Sequence, residues 1–224
     1  MTQRLTHIFL LILLASPLGG CISRGVKQAD ILILNMGSPA TPKIARRLHM
    51  HDVEYTVLEG LVPVEEIRKV NPRGIIISGS PDSVLDAGAP RAPSDYFKLN
   101  VPILGLCYGM QMIAEQLGGK VKRCHKSEKD IVLARFNGKC GLVPEGLTHM
   151  HVLMDHDDCV VEIPKGFHTD ASSLITDHAM VCSHDHKIYL IQFHPERYDT
   201  VPESGVILDA FIRKAIKHPR LTED

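Results

Sequence analysis

Two short stretches hold the residues whose types and spacing can do covalent chemistry. Gly105-Leu106-Cys107-Tyr108-Gly109 sets a cysteine at the centre of a Gly-x-nucleophile-x-Gly pattern. A nucleophile in that pattern sits on a cramped turn from a buried strand into a helix, where side chains at the flanking positions would clash. The helix N-terminus then aims unpaired N–H groups and positive potential at the sulfur, which favours a thiolate. The Tyr108 N–H is placed to receive an oxyanion. A cysteine nucleophile also needs a base and a group to orient that base. Gln192-Phe193-His194-Pro195-Glu196 offers both. In an extended segment, residues two apart face the same side, so His194 and Glu196 can point into one cleft, with the carboxylate holding the imidazole in its useful tautomer. For the first stretch an inert buried cysteine is the lesser alternative, and a lone His-x-Glu reads also as two solvated loop residues. Together they specify nucleophilic attack on a carbonyl carbon.

The surrounding pattern supplies the elements that must position these groups. Ile31-Leu32-Ile33-Leu34, Val53 to Leu58, Gly74-Ile75-Ile76-Ile77 and Pro102 to Leu106 read as buried strands. Between them, Thr41 as N-cap with Pro42 at N1 opens one helix, and Pro63, with Glu65 and Glu66 in the first turn, opens another. Met110, Ile113, Ala114 and Leu117 recur at helical spacing directly after Cys107, and Gly118-Gly119 stops that helix. This alternation predicts an α/β fold with a parallel sheet covered on both faces. The second half reads as short strands, Ile131 to Phe136, Val181 to Ser183 and Ile188 to Phe193, with a last helix from about Glu203 to Ile216. No linker or internal repeat interrupts residues 30–218, which form one domain with a short tail at 219–224.

Across 224 residues, 25 Lys+Arg against 26 Asp+Glu give a net charge of −1, and aromatics are 5% with no Trp. Neither the basic excess that neutralises phosphates nor a base-stacking surface is present, which excludes a nucleic-acid binder. Residues 1–20 combine Arg4 and His7 with the apolar run Ile8 to Ala15, too short to span a bilayer and laid out like a secretory signal peptide. Leu18-Gly19-Gly20-Cys21 resembles the bacterial lipobox. The expectation is an exported lipoprotein, lipidated on Cys21 and tethered to a membrane through residues 21–29. A cytoplasmic protein is the alternative if the start codon is misassigned. With Cys21 lipidated, five cysteines remain, so at most four pair and at least one thiol stays free, the connectivity not being readable from the sequence. The histidine groups His149-Met150-His151 with His156, and His184-Asp185-His186, fit no standard metal spacing and are expected to be solvated, so no metal is expected.

GLCYGMQ around Cys107 and QFHPE around His194 resemble the class I glutamine amidotransferases. The stretches IARR (Ile44 to Arg47), APRAP (Ala89 to Pro93), VPILGLCYGMQ and AEQLGGKV (Ala114 to Val121) are similar specifically to the glutaminase domain of GMP synthase, over most of Asp30 to Ile216. The resemblance implies a three-layer, flavodoxin-like fold around a mostly parallel sheet. It also implies Cys107 as nucleophile, His194 as base, Glu196 as orienter and Gln111 as a glutamine-binding residue, with no cofactor. The implied reaction converts glutamine or a γ-glutamyl amide, with water, to an acid and ammonia through a thioester. A synthetase that accepts the ammonia is the implied partner.

The departures from the family pattern matter. Ser80 stands where the family's SGGP-type loop carries the Gly whose N–H completes the oxyanion hole. The family's Ser-His-Gly-Asp stretch, near the amino and carboxylate ends of glutamine, is Asp155-His156-Asp157-Asp158, and its Arg-Glu-Phe-Gly segment is Ser127-Glu128-Lys129-Asp130. Asp155 and Asp157 are expected to help hold an ammonium group and to repel a carboxylate. No P-loop motif is present. Beside the leading amidohydrolase reading stand a glutaminase subunit of a two-chain GMP synthase and an exported pseudoenzyme that binds an amino acid or peptide.

Overall fold

Each apolar run of the first half is short and rich in β-branched residues, and each is followed by a segment with one apolar stripe, so the runs pair as strands and the stripes cover them. The structure is a computed structural model that describes residues 27–221. The expected leader at 1–20, the lipidation residue Cys21, most of the tether and the last three residues lie outside the described residues.

In chain order the elements are β1 (Ile31–Asn35), α1 (Thr41–Met50), β2 (Tyr55–Glu59), α2 (Val64–Val70), β3 (Gly74–Ile77), β4 (Ile103–Leu106), α3 (Tyr108–Gln116), β5 (Lys120–Glu128), β6 (Ile131–Phe136), β7 (His149–Leu153), β8 (His156–Glu162), β9 (Phe167–Ser172), β10 (Met180–Ser183), β11 (Ile188–Ile191) and α4 (Gly205–Lys217). Nine strands form one mixed sheet in the order β2-β1-β3-β4-β11-β10-β9-β6-β7. The block β2-β1-β3-β4-β11 is parallel, and the rest is antiparallel. β5 and β8 make a separate antiparallel pair. Alternate residues of β1 serve opposite faces. Ile31 and Ile33 pack with Ile44 and Leu48 of α1 and with Phe211 of α4, whereas Leu32 and Leu34 pack with Ile67 of α2 and Ile113 of α3. The result is the three-layer α/β fold, and the carboxyl ends of the parallel strands open on one side, where sheets of this kind bind ligands.

Several expectations need correction. Thr41 is not the cap of α1. Ala40 occupies that position, Thr41 begins the helix, and its hydroxyl instead donates to Asn35 Oδ1 at 2.7 Å, tying the helix to the end of β1. α4 starts at Gly205, after a 3₁₀ turn over Pro202–Ser204. The sequence reading does not place β5, β7, β8 and β9: β5 and β8 are dominated by charged and histidine residues, and β7 and β9 are short and interrupt their apolar residues with polar ones. Two cystines, Cys124–Cys159 and Cys140–Cys182, pair four of the cysteines, and Cys107 is the free thiol among the described residues.

α1 and α4 are locked together by one ion pair. Arg47 Nε and Nη2 each donate to the Asp209 carboxylate at 2.6 Å, and His51 Nε2 lies 2.8 Å from Asp209 Oδ1. Burial pushes the Asp209 carboxyl up, but the hydrogen bonds from Arg47 and His51 win and hold it below the usual carboxylate range. A folded-state value below the unfolded one contributes stability above the unfolded value of about 3.9, which is lost as pH falls toward the folded value. Asp209→Asn should therefore cost about 3 kcal/mol at pH 7 and shrink the difference in stability between pH 7 and pH 3. Urea unfolding at the two pH values checks this, and an equal pH dependence in both proteins would refute it.

Candidate active site

Cys107 ends β4 and caps α3 with φ 49° and ψ −107°, a left-handed conformation that a side chain rarely adopts. The surroundings leave no alternative. A Cβ on Gly105 would lie 2.8 Å from the Gly109 carbonyl carbon, and one on Gly109 would lie 2.6 Å from the Ile77 carbonyl oxygen of β3. The helix therefore presses directly on the neighbouring strand. The Cys107 N–H donates to the Ile191 carbonyl at 2.7 Å, joining the turn to the end of β11. The thiol is almost buried, with Cys107 at 7% exposure.

His194 follows β11. Its segment is not the extended strand that the two-residue spacing predicts, because the Arg197 N–H closes a turn onto the His194 carbonyl at 3.0 Å. The turn still brings the side chains together, and His194 Nδ1 donates to Glu196 Oε1 at 2.7 Å. That bond leaves Nε2 as the nitrogen available to the thiol. Cys107 and His194 border the same small space, since a Cβ on Gly79 would lie 3.5 Å from Cys107 Cβ and 3.7 Å from His194 Cε1. Burial alone would lower the His194 pKa, but the charge of Glu196 and hydrogen bonding with Cys107 and Glu196 hold it well above the ordinary histidine value. Glu196 is itself buried, and its Oε2 has no hydrogen-bond partner.

These groups face a cleft of about 500 Å³ that is also lined by Ser80, Tyr108, Gln111, Arg123, Lys129 and Asp155 to Asp158. Ser80 keeps out of the left-handed region, so its replacement of the family glycine carries no backbone strain there. Its hydroxyl accepts the Asp82 N–H at 3.2 Å. Gln111 is buried, and its Nε2 is already committed, donating to the Asp158 carbonyl at 2.9 Å and to Gln192 Oε1 at 3.0 Å. Gln192 Nε2 in turn points at Cys107 Sγ at 3.6 Å. The two amides thus connect the wall of the cleft to the thiol.

The acidic stretch does not present the bare pair of negative charges that the sequence predicts. Asp157 lines the cleft, but its carboxylate accepts Lys129 Nζ at 2.8 Å and Ser127 Oγ at 2.5 Å, and these bonds hold its pKa below the usual range. Both partners come from the segment that departs from the family pattern. Asp155 is exposed, and its carbonyl lies 3.8 Å from Cys107 Sγ. The acid best placed to meet an ammonium group is Asp158, which sequence reasoning passed over. It is 4% exposed, accepts Ser83 Oγ on Oδ2 and leaves Oδ1 without a hydrogen bond, with only Arg123 Nη1 at 3.2 Å as its ion-pair partner. Its signal in the sequence is that, of the four positions 155–158, it and His156 keep the family residues.

His156 is not solvated. It is buried behind the cleft, with Nδ1 3.0 Å from the Asp158 carbonyl and Nε2 3.2 Å from Glu128 Oε2. Glu128 also accepts Ser173 Oγ and Thr176 Oγ1, and although burial pushes its carboxyl up, these hydrogen bonds bring it below the usual carboxylate range. His149 and His151 are exposed on β7, as expected. His156 lies beside Cys124 and Cys159, and His168 beside Cys140 and Cys182, but in each group the sulfurs are bonded to one another.

A cysteine on a strand-to-helix elbow, facing a histidine held by a glutamate, on this sheet, is the arrangement expected from the motifs. The family model for class I glutamine amidotransferases matches residues 32–214. This chain belongs to that family. Among curated relatives, it is 39% identical over 202 residues to GMP synthase [glutamine-hydrolyzing] of Tolumonas auensis, covering 86% of this chain and 38% of that protein. It is 43% identical over 177 residues to the enzyme of the same name from Aquifex aeolicus, covering 79% and 34%. The chain thus spans little more than a third of the length of these relatives. The fold matches a solved glutamine amidotransferase of Methylobacillus flagellatus with a TM-score of 0.71 at 17% identity, covering 88% of this chain and 98% of that one.

The Glu196 charge is the largest cause raising His194. A raised folded-state pKa contributes stability that is fully present below the unfolded value and is lost as pH rises through the folded one. Glu196→Gln should move the His194 titration down toward about 6.5, read by NMR of the histidine ring, and remove that stabilisation near neutral pH. A titration unchanged in the variant would show that another group holds the imidazole.

Proposed function

We propose that the chain is a cysteine-dependent amidohydrolase that converts glutamine, or a γ-glutamyl amide, and water to the acid and ammonia. The single observation behind this reading is the buried Cys107 on its elbow, opening into the same cleft as the His194–Glu196 pair and the underpartnered Asp158 carboxylate. In the proposed mechanism the Cys107 sulfur attacks the carboxamide carbon, and the carbonyl oxygen becomes an oxyanion facing the Tyr108 and Ser80 N–H groups. His194 passes its proton to the nitrogen, the C–N bond breaks and ammonia leaves a thioester. Water then gives a proton to His194 and its oxygen to the acyl carbon, which releases the acid and restores the thiol. Asp158 holds the substrate ammonium group. Gln111 and Gln192 position the wall of the cleft and the sulfur, and Asp155 and Asp157 with Lys129 shape the outer rim.

We further propose that the protein acts outside the cytoplasm, anchored through a lipid on Cys21. Two cystines in one domain support this, since such bonds persist in oxidising compartments. A second reading, a glutaminase subunit that hands ammonia to a synthetase, is supported by the identity to GMP synthases.

Cys107→Ala should abolish ammonia release from glutamine and covalent labelling by a glutamine-like electrophile, and labelling that survives the change would refute the assignment. Asp158→Asn should raise KM for glutamine about a hundredfold, equivalent to about 2.7 kcal/mol. An unchanged KM would remove Asp158 from the ammonium site. Cys21→Ser should shift the protein out of the membrane fraction or block its processing, whereas an unprocessed cytoplasmic pool in the wild type would favour the synthetase-subunit reading. Ammonia release by the isolated protein, against release only with a synthetase present, separates the two.

A further inference from the structure

Building on the glutaminase reading, we propose that the Cys124–Cys159 cystine is a positioning pair for substrate binding, holding Asp158 at its working distance from Cys107, so that the protein binds substrate well only in its oxidised form. β5 and β8 stand apart from the nine-stranded sheet, and an isolated two-stranded pair is marginal in water. β5 contributes only Val121 and Glu128 as fully buried residues, so little apolar packing holds it down. Its ladder with β8 pairs Lys122 with Cys159 and Arg123 with Asp158, then jumps to Glu128 opposite His156. The hydrogen-bonded register therefore breaks directly after the Arg123–Asp158 pair. The cystine bridges the strands at that break, with Cα atoms 5.2 Å apart.

Both half-cystines adjoin residues that line the cleft, Arg123 before Cys124 and Asp158 before Cys159. From the Asp158 carbonyl the connection runs through Gln111 and Gln192 to Cys107 Sγ. Behind the wall, His156 and Glu128 are paired in the interior, and their partnership also requires β5 and β8 to stay in register. An ammonium at Asp158 and a carboxamide carbon at Cys107 are two ends of one substrate, so slack in this wall weakens binding before it touches the thiol. The other cystine, Cys140–Cys182, has no cleft-lining residue next to either half-cystine in the chain. Formation of the bridge removes two electrons and two protons from the Cys124 and Cys159 thiols. A protein disulfide takes these up by exchange and becomes a dithiol, and a dithiol reductant runs the exchange backwards.

The test compares Cys124→Ser with Cys159→Ser combined in one protein, Cys140→Ser with Cys182→Ser combined in another, and the wild type before and after mild dithiothreitol treatment and reoxidation by oxidised glutathione. In the first variant and in the reduced wild type, KM for glutamine should rise at least tenfold with kcat within about threefold. Iodoacetamide should alkylate Cys107 at the wild-type rate, and protection of Cys107 by glutamine should need at least tenfold more glutamine. Reoxidation should restore KM. The second variant should lose thermal stability and keep the wild-type KM. If the first variant does not fold, the reduced and reoxidised wild type, with the cystines mapped by non-reducing peptide mass spectrometry, carries the same comparison. KM indifferent to the Cys124–Cys159 bond, or equally sensitive to the other cystine, overturns the inference alone. A wild type that releases no ammonia from glutamine overturns the glutaminase reading and the inference with it.

Discussion

The contact on which the rest of the site depends is the approach of α3 to β3 at Gly109. Without a side chain there, the first turn of the helix lies against the Ile77 carbonyl, where an added Cβ would come within 2.6 Å. That closeness leaves Cys107 nowhere to go but the left-handed conformation, with its sulfur over the helix N-terminus and beside His194. Strain of this kind costs on the order of 1–3 kcal/mol and persists only where surrounding structure fixes it. Here the fixing comes from both sides. The Cys107 N–H is bonded to β11, and Gly105 packs under Gly109 and Ile113. Because β11 also delivers Gln192 and His194, one interstrand junction places both Cys107 and His194.

A second constraint acts on the facing wall and is of a different kind. The elbow is held by apolar packing of a continuous sheet, whereas the β5–β8 wall is held by polar devices: a cystine, a buried Glu128–His156 pair and the Lys129–Asp157 bridge at the rim. A buried polar pair such as Glu128–His156 adds little net stability but costs heavily when one partner is lost, because the other is left buried without its hydrogen bond. The wall is therefore well defined when complete and intolerant of partial disruption. Of the three devices, only the cystine responds to the redox poise of the surroundings.

The geometry around the thiol was legible in the sequence because its parts are local. A nucleophile between glycines and a His-Pro-Glu segment each declare themselves within five residues, and strand-helix alternation declares the sheet that joins them. The wall proposed to meet the other end of the substrate was not legible, because it is assembled from partners far apart. Asp158 depends on Ser83, Arg123 and Gln111, and His156 on Glu128. The same cause hid β5 and β8. Their pairing is carried by cross-strand polar partners rather than by apolar periodicity, and a single strand read alone shows only a charged, histidine-rich segment. The excess acids at 155 and 157 drew attention for their charge, yet the compensating Lys129 lies 28 residues from Asp157 along the chain.

That compensation changes what the cleft can recognise. A glutamine-like substrate is zwitterionic at its α-carbon, so its site must offer a negative group and a positive one a few ångströms apart. Asp158 supplies the first from the interior, where low dielectric strengthens the contact. Arg123 sits 3.2 Å from it with its side chain 63% exposed, free to swing from Asp158 toward an arriving carboxylate. The resting ion pair then becomes the template of the bound one. If the proposed glutamine-like substrate binds here, its ammonium group would take the place of the guanidinium on Asp158, and the displaced guanidinium would meet the substrate carboxylate. On this reading the extra rim acids are no obstacle to an amino-acid substrate, because Asp157 is neutralised by Lys129 and Asp155 stands in solvent, where water screens it.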